Sequence, residues 1–393
     1  MTQPTETAAA ATVEPGGEGV VSIERSPDYS LTAVREAVTR AVDALGGMSA
    51  FVQPGQSVLI KPNLLSAKNP DRAITTHPAV LEVIIDLVRH AGGDPTIGDS
   101  PGGAIRGVDR VWGNTGMKAL SERTGVPLVS FEGSGSVARR GAEREYMIAR
   151  PVVEADVVIN VPKLKTHMLT LYTGALKNTF GAIPGFGKAR LHNLAGRPRP
   201  FSRFVVDVHA LVAPSLHIMD GIVAMEGDGP SGGRPRHVGA VMAGIDAVAM
   251  DTVAAGMLGM DVRRVHMIRL AAERGLGVDD PAAITILGET PESFDTEGFK
   301  LPGTGILNYI PDPLVRALKP FIWILPEMSK EWGCVGGTRC GLCMRSCPVE
   351  AISLVDDVPV VDRKTCVECL CCHEVCPHQA VRIKLSWLAG KFA

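Results

Sequence analysis

The distribution of cysteine is the feature that most constrains this chain. All nine cysteines lie between Cys334 and Cys376, in a chain of 393 residues. A disulfide framework would spread paired cysteines through the whole fold, but the long region before Cys334 carries no thiol. The cysteines therefore belong to one local device near the carboxyl end.

The cysteines form two runs, and each run ends in Cys-Pro. The second run, CVECLCCHEVCP from Cys366 to Pro377, follows the C-x2-C-x2-C-x3-C-P spacing of bacterial ferredoxins. The first run, CVGGTRCGLCMRSCP from Cys334 to Pro348, matches in its last three cysteines, but five residues instead of two follow its first cysteine. We interpret the longer gap as an insertion. A strand-like apolar segment follows each run, at 351–355 and 380–384.

The resemblance to two-cluster ferredoxins implies two [4Fe-4S] clusters with four thiolates each. Carried across residue by residue, one cluster takes Cys334, Cys340, Cys343 and Cys376. The other takes Cys347, Cys366, Cys369 and Cys372, so that Cys371 is spare. If Cys334 does not bind, the first cluster has an open iron site. The alternatives are structural zinc, or one cluster with free thiols. His373 and Glu374 are expected near the second cluster or in solvent, not as ligands.

Charge and hydropathy exclude some functions. Forty basic and 42 acidic residues give a net charge of −2, which provides no electrostatic footprint for nucleic acid. No uninterrupted apolar run is long enough for a transmembrane helix, although residues 305–325 and the terminal KLSWLAGKFA could contact a membrane surface. Residues 1–19 lack the features of a signal peptide and are expected to form a disordered tail, so we expect a cytoplasmic protein. The oligomeric state is left open.

Residues 20–290 alternate short apolar runs with amphipathic segments, which favours an α/β fold with a mostly parallel sheet and flanking helices. The predicted strands cover 20–25, 57–61, 95–99, 126–131, 155–160, 216–220, 238–244 and 283–288. The predicted helices cover 30–45, 78–91, 114–124, 201–212, 246–258 and 262–274. We expect this α/β domain to span 20–299.

A connector over 300–332 and a small α+β ferredoxin-like domain over 333–386 are expected to follow, with a tail over 387–393. We expect the apolar side chains of the connector to dock the small domain on the large one. These side chains are Leu307, Ile310, Leu314, Leu318, Ile322 and Trp323.

Polar residues follow several of the predicted strands. Lys61 and Asn63 follow the second strand, Asp99 ends the third, and Asp220 ends the sixth. Ligands of open parallel sheets bind in the crevice beyond the carboxyl ends of the strands. Any one of these residues alone would be a turn or a helix cap, but together they predict a binding site.

The segment 160–185, NVPKLKTHMLTLYTGALKNTFGAIPG, adds more cations to this edge. Lys177 is expected to hold a carboxylate, phosphate or enolate oxygen as a point charge. His167 is the expected acid/base group because its pKa lies near neutrality. The predicted catalytic residues are Lys177, His167 and Asp99. The predicted binding residues are Lys61, Asn63, Lys163, Lys165, Asn178 and Asp220. The alternative is solvated lysines beside a buried structural histidine.

Two further segments carry weaker expectations. Thr76 before Pro78 is expected to cap the second helix. The glycine-rich segment 225–237, MEGDGPSGGRPRH, could cradle phosphate through its amides. It matches neither the P-loop nor the dinucleotide motif, which gives little support to nucleotide binding.

Several motifs in the same order resemble the family called domain of unknown function 362, in its form fused to a ferredoxin. They are VLIKPNLL, TTHP, IGDSPGG, ADVVINVPKLKTH, TGALKNTFGAIPG and MDGIVAMEGDGPSGG. A fainter resemblance to nickel-dependent lactate racemases rests on Asp156, His167, Gly174, Lys177, Pro184 and Gly185. It implies a nickel cofactor on Lys177. However, this chain has Ala175 and Leu176 at positions where that family has glycine and arginine, which argues against the cofactor.

Three functions remain in competition. The first is an iron-sulfur oxidoreductase that exchanges electrons with a small anionic molecule or an additional organic cofactor. A redox partner protein is expected to supply the electrons. The second is a non-catalytic electron carrier that binds a partner protein. The third is a racemase-like or isomerase-like acid/base enzyme with structural clusters. We favour the first, since two clusters rarely occur without electron transfer.

Overall fold

The structure is a computed structural model that describes residues 19–102, 107–195, 197–303, 321 and 323–387. Most of the predicted connector, including Leu307, Ile310, Leu314, Leu318 and Ile322, lies outside the described residues, as do residues 1–18 and 388–393 of the predicted tails.

The described strands alternate with helices through the large domain. The strands of this part are β1 Val20–Arg25, β2 Ser57–Pro62, β3 Asp94–Asp99, β4 Leu128–Ser130, β5 Ser136–Arg140, β6 Glu145–Ala149, β7 Val157–Val161, β8 Lys163–His167, β9 Leu171–Thr173, β10 Leu216–Glu226, β11 Arg234–Gly244 and β12 Thr285–Gly288. The helices are α1 Leu31–Asp43, α2 Pro78–His90, α3 Val108–Asn114, α4 Met117–Thr124, α5 Arg150–Glu154, α6 Ala175–Asn178, α7 Gly187–Ala195, α8 Pro198–Val212, α9 Ala247–Met257 and α10 His266–Glu273.

One sheet organises the large domain. Its described strands run in the order β12-β1-β11-β10-β7-β2-β3-β4, with β8 and β9 attached beside β10. Strand pairs from β10 through β7, β2 and β3 to β4 are parallel, while β11 is antiparallel to both β10 and β1. The α/β fold with a mostly parallel sheet is thereby confirmed. Because β10, β7, β2 and β3 run the same way, their carboxyl ends share one edge.

Both faces of the sheet are covered, so the strands are apolar on both sides. Successive residues of a strand point to opposite faces. In β2, Val58 and Ile60 therefore pack with α1 and α2 on one face. Leu59 packs on the other face, in the core that includes residues of α8, α9 and α10. This double cover makes the centre of the sheet a rigid base for side chains at the strand ends.

The predicted elements are found, with boundary changes. Strand β10 continues to Glu226 as the partner of β11, although the sequence placed its end at Asp220. The hairpin of β5 and β6 and the short strands β8 and β9 were missed. The cap of α2 is His77, whose ring accepts a hydrogen bond from the amide of Ala79, and not Thr76. The hydroxyl of Thr76 instead donates to the carbonyl of Val161.

The cysteine-rich end folds as a small module with internal symmetry. Its strands and helices are β13 Ile324–Met328, α11 Leu342–Arg345, β14 Ile352–Val355, β15 Val358–Val361, α12 Cys371–Glu374 and β16 Val381–Leu385. Helices α11 and α12 each follow a left-handed residue, Gly341 and Leu370, both with φ of 60°. Part of the predicted connector belongs to this module, because β13 pairs with β16. Of the helices described in the whole chain, none is long and apolar enough to cross a bilayer.

Candidate functional site

A cavity of about 100 Å³ lies at the carboxyl ends of β2 and β3, where the small module closes over the large domain. Large-domain residues in its wall include Lys61, Asn63, Asp99, Lys177, Asn178, Lys188 and His192. The small module contributes Ser346, Cys371, Glu374 and Val375. We call this space the ligand cavity. Three of the four strand-end residues of the sequence prediction, Lys61, Asn63 and Asp99, therefore meet the cysteine-rich module at one place.

Lys177 differs from the other lysines of the wall because no described residue accepts a hydrogen bond from its ammonium group. Its nearest aromatic neighbour is Phe201, with Nζ 5.8 Å from the ring centroid. Burial lowers the pKa of Lys177, while the charges of Glu374 and Cys371 oppose this shift. Helix α6, which carries Lys177, is fixed by Asp251, whose carboxylate accepts hydrogen bonds from the amides of Ala175 and Leu176 at 2.7 and 3.0 Å.

Lys61 and Asp99 form a buried ion pair in the wall, with Nζ and Oδ1 2.8 Å apart. The second oxygen of Asp99 accepts a hydrogen bond from the amide of Leu64 at 2.8 Å. Both carboxylate oxygens are therefore occupied, which leaves Asp99 poorly placed for the proton transfer that the sequence predicted.

Asn63 and Asn178 belong to a chain of amide hydrogen bonds behind the wall. The side-chain nitrogen of Asn63 donates to Asn178 at 3.0 Å, and that of Asn178 donates to Asn160 at 2.7 Å. Lys165 closes the chain, since its ammonium donates to Asn63 and to the carbonyl of Ile74, each at 2.7 Å. The network fixes the orientation of the two asparagines that reach the cavity.

Lys163, Lys165 and Asp220 are not in the described wall of the ligand cavity. Lys163 stands opposite Asp220 across β8 and β10, and its Nζ lies 2.8 Å from Oδ2 of Asp220 and 2.7 Å from the hydroxyl of Tyr29. Burial, with the charge of Lys177, holds the pKa of Lys165 well below its usual range. The geometry gives these three residues a role in holding strand ends together, whereas the sequence had predicted contact with the ligand.

His167 is buried, with one ring nitrogen hydrogen-bonded and the other close to the carboxylate of Glu374. Its Nδ1 accepts hydrogen bonds from the amides of Leu169 and Thr170, and its Nε2 lies 3.2 Å from Oε1 of Glu374. Burial is the main cause that lowers the pKa of His167 to about 3, so the ring is neutral at physiological pH. His167 therefore anchors Glu374 in the cavity wall and does not itself face the cavity.

Glu374 was expected near the second cluster or in solvent, and the structure buries it between the domains. Burial raises its pKa, but His167, Lys177 and His192 outweigh this effect and hold the pKa of Glu374 well below its usual range. The carboxylate is therefore ionised in the cavity wall. The sequence signal for Glu374 as a cavity residue was a charged residue within the second cysteine run.

Three further cavity residues were missed. Lys188 at the start of α7 donates to the carbonyls of Ser100 and Ile183, each at 2.9 Å. Burial lowers the pKa of Lys188 to about 8, which places its proton exchange close to neutrality. His192 stacks on Phe201 with ring centroids 4.0 Å apart, and Phe186 is 44% exposed at the edge of the cavity. A lysine and a histidine four positions apart, and so on one side of a helix, were the available signal.

Eight cysteines surround two separate spaces in the small module. Cys334, Cys340, Cys343 and Cys376 line one of them. Cys347, Cys366, Cys369 and Cys372 line the other, together with Cys371. These sets coincide with the sets that the ferredoxin resemblance implies, and Cys334 lies with its set despite the insertion. Among the described residues, no three His, Cys, Asp or Glu side chains are close enough to share a single metal ion.

The glycine-rich segment 225–237 supports the small module. A Cβ on Gly232 would lie 2.6 Å from Nε2 of His373, so only glycine allows this close approach. The hydroxyl of Ser231 donates to the carbonyl of His373 at 3.1 Å, and Gln379 donates to the carbonyl of Ser231 at 2.7 Å. The segment therefore contacts protein where the sequence suggested phosphate.

Comparison with known proteins places the chain in a family. The model of DUF362, a domain of unknown function, matches residues 58–256. The chain is 37% identical over 285 residues to thylakoid-associated protein sll1697 of Synechocystis sp., in a match that covers 72% of this chain and 87% of the relative.

Two shorter matches are to ferredoxins. One is 45% identical over 42 residues to an uncharacterized ferredoxin of Methanocaldococcus jannaschii, covering 11% of this chain and 28% of that protein. The other is 41% identical over 46 residues to an uncharacterized ferredoxin-like protein of Haemophilus influenzae, covering 10% of this chain and 54% of that protein. The chain thus spans little more than half, or less, of these two proteins. They support an iron-sulfur region in this chain.

A solved structure is also similar. The lactate racemase apoprotein of Thermoanaerobacterium thermosaccharolyticum matches with a TM-score of 0.42 and 13% identity, over 61% of this chain and 57% of that chain. A similarity of this extent does not bear on activity. The family model and the extended match to the Synechocystis protein decide the identity: the chain belongs to the DUF362 family.

Proposed function

We propose that this protein is an iron-sulfur oxidoreductase, in which two [4Fe-4S] clusters exchange electrons with an anionic small molecule or organic cofactor in the ligand cavity. One observation carries the proposal. Cys371 lies both in the wall of the ligand cavity and in the wall of the space lined by Cys347, Cys366, Cys369 and Cys372. A ligand and the nearer cluster would be separated by the width of one side chain.

The small module fits the proposed clusters in its donor set. Each of its two spaces has four cysteines in its wall. Backbone amides of Ala351 and Ala380 donate to the sulfur atoms of Cys347 and Cys376 at 3.2 and 3.4 Å. Amide hydrogen bonds stabilise the negative charge of thiolates that bind iron and tune the cluster potential. When bound, the clusters would supply single electrons, received from a redox partner protein.

The large domain provides the anion site. Lys177 presents a cation that has no acceptor among the described residues, and Asn63 and Asn178 present amide groups fixed by their network. A carboxylate or enolate oxygen beside Lys177 would satisfy this charge. Phe180 and Phe186 add apolar surface to the wall of the same cavity. Charged ligand groups therefore gain strength from a partly desolvated environment.

We assign proton transfer to Lys188. Its Nζ has a pKa of about 8 as a result of burial, and a proton donor works best when its pKa lies near the operating pH. A ligand that accepts an electron can take a proton from Lys188 in the same cavity if it replaces one of the three acceptors of the ammonium group, which are the carbonyl and hydroxyl of Ser100 and the carbonyl of Ile183. His167 acts through Glu374, whose position it fixes.

The cluster assignment is tested by two neighbouring cysteines. In Cys372→Ser we expect loss of about half of the bound iron and of one EPR signal, since one of two four-iron sites loses a ligand. In Cys371→Ser, the matched control, we expect full iron and sulfide content. Equal iron loss in both variants would contradict the ligand sets.

The oxidoreductase assignment is tested by electron transfer. The full-length protein is reduced with dithionite under anaerobic conditions, and reoxidation is followed by its visible absorbance with a panel of small organic acids and quinones. We expect at least one such acceptor, and at least tenfold slower reoxidation in Lys177→Met with both EPR signals intact. Reoxidation by protein partners alone would favour the electron carrier.

A further inference from the structure

A second, more open cleft adjoins the ligand cavity. It has a volume of about 400 Å³ and runs between α7 and the first cysteine run of the small module. Its wall is made by Phe186, Ala189, Arg190, Asn193, Arg345, Ser346, Cys347 and Pro348. Phe186, Ala189 and Ser346 also belong to the ligand cavity. The two spaces therefore adjoin, with Phe186 and Ser346 at their junction, and we call the second one the outer cleft.

The outer cleft carries positive charge that no described carboxylate neutralises. Arg190 comes from the large domain and Arg345 from the small module, and both are exposed. Arg345 donates one hydrogen bond, from Nη2 to the carbonyl of Cys340 at 2.8 Å. Neither guanidinium lies in an ion pair with a described carboxylate. Two arginines that face one cleft from different domains form a site for an anionic group.

The junction contains polar groups that also lack partners. The hydroxyl oxygen of Ser346 is buried, with the residue 4% exposed, and it has no hydrogen-bond partner among the described residues. Nδ1 of His192, in the wall of the ligand cavity, is buried and unpartnered as well. A buried polar atom without a partner is destabilising. A polar ligand that passes through the junction would remove this cost.

We infer that the ligand is an elongated molecule with two anionic groups. One anionic group lies in the ligand cavity at Lys177, the middle of the molecule passes Phe186 and Ser346, and the second anionic group lies between Arg190 and Arg345 in the outer cleft. This inference rests on the proposed function, since it describes the molecule that the same site would hold. It names the ligand class as a dianion in which carboxylate or phosphate groups stand at the two ends.

The test uses α,ω-dicarboxylates from malonate to sebacate as probes, each compared with the monocarboxylate of equal chain length. Binding to the full-length, cluster-loaded protein is measured by isothermal titration calorimetry. We expect dicarboxylates above a threshold length to bind roughly 3- to 30-fold more tightly than their monocarboxylates, the range for two solvent-exposed charge contacts.

Arginine variants locate the second contact. The double variant Arg190→Ala/Arg345→Ala should lower the affinity of the long dicarboxylates to that of the monocarboxylates. Arg139→Ala, which removes an exposed arginine of β5, should leave the preference for dicarboxylates unchanged. Absence of a length threshold, or equal affinity changes in the double variant and in Arg139→Ala, would overturn the inference. Monocarboxylate binding that depends on Lys177 would then still support the proposed function, so the two failures are distinguishable.

Discussion

Lys163 and Lys177 lie on one short segment of the chain, and the fold treats them in opposite ways. Lys163 is fully buried and its ammonium contacts Asp220 and Tyr29. Tyr29 also donates to Asp220 at 2.7 Å, and the amide of His77 donates to the same carboxylate at 2.9 Å. Lys177 is half-buried, lines the ligand cavity and has no described hydrogen-bond acceptor.

The difference separates a cation that the protein holds by hydrogen bonds from one whose ammonium group is available to a ligand. A buried charge is tolerated when the protein supplies its counter-charge and hydrogen bonds. Lys163 meets this condition within the protein, so a ligand could add little to it. Lys177 meets it only in part, because the charge of Glu374 acts on it but no described residue accepts a hydrogen bond from its ammonium group. The number of internal hydrogen bonds therefore separates the two lysines better than their positions in the sequence.

The largest expected effect comes from breaking the Lys163 site. Lys163→Met would leave Asp220 buried without its cation, and removal of one partner of a buried ion pair costs about 3–5 kcal/mol. We expect a corresponding decrease in the free energy of unfolding, measured by urea denaturation. Lys118→Met, at an exposed position of α4, is the control and should change stability by less than about 0.5 kcal/mol. A tolerated Lys163→Met would remove the distinction between the two lysines.

Lys177→Met is expected to reverse this pattern. Affinity for acetate, measured by calorimetry, should fall by roughly 10- to 100-fold, because a hydrogen bond to a charged group contributes about 1.5–3 kcal/mol. The free energy of unfolding should stay equal or rise, because burial outweighs the charge of Glu374 in its effect on the pKa of Lys177 and no described hydrogen bond of the ammonium group is lost. Loss of stability comparable to that of Lys163→Met would show that Lys177 is a structural cation too.

Gly181→Ala would place a methyl group against the Lys61–Asp99 ion pair without changing either charged residue. The added Cβ would lie 2.7 Å from Nζ of Lys61, and overpacking of a well-filled interior costs about 1–3 kcal/mol. We expect this loss in urea denaturation. At Gly256, an exposed position of α9, a Cβ meets nothing within 4 Å, and Gly256→Ala should stabilise by about 0.5–1 kcal/mol. Equal effects of the two substitutions would contradict the tight contact at the cavity wall.

The smallest expected effect on stability concerns His209, a buried side chain that the fold keeps neutral. Burial lowers its pKa from 6.5 to about 4. The unfolded chain therefore binds more protons than the folded protein between these values, so stability is lost as pH falls through this window. His209→Leu should reduce the loss of unfolding free energy between pH 6.5 and pH 5 by about 1–2 kcal/mol. An unchanged pH dependence would show that His209 does not titrate as a buried neutral group.

The sequence predicted the sheet and its ligand edge because local patterns encode both. Apolar runs predicted β2, β3 and β7, and the polar residues at the ends of these runs predicted Lys61 and Asp99 as site residues. The pairing of Lys163 with Asp220 could not be predicted, since it depends on the register between β8 and β10, which are distant in the chain. The contact of His167 with Glu374 depends on docking between domains, and no local pattern specifies docking.

Both domains contribute to the wall of the ligand cavity, so the wall is complete only after both have folded. Helix α12, which supplies Cys371 and Glu374 to the cavity wall, lies inside the second cysteine run. A newly made chain would acquire a complete wall only once this run is folded around its metal centre. Under the proposed function, ligand capture would thus wait for cluster insertion, and oxidative loss of the cluster would release the ligand together with the route for its electrons.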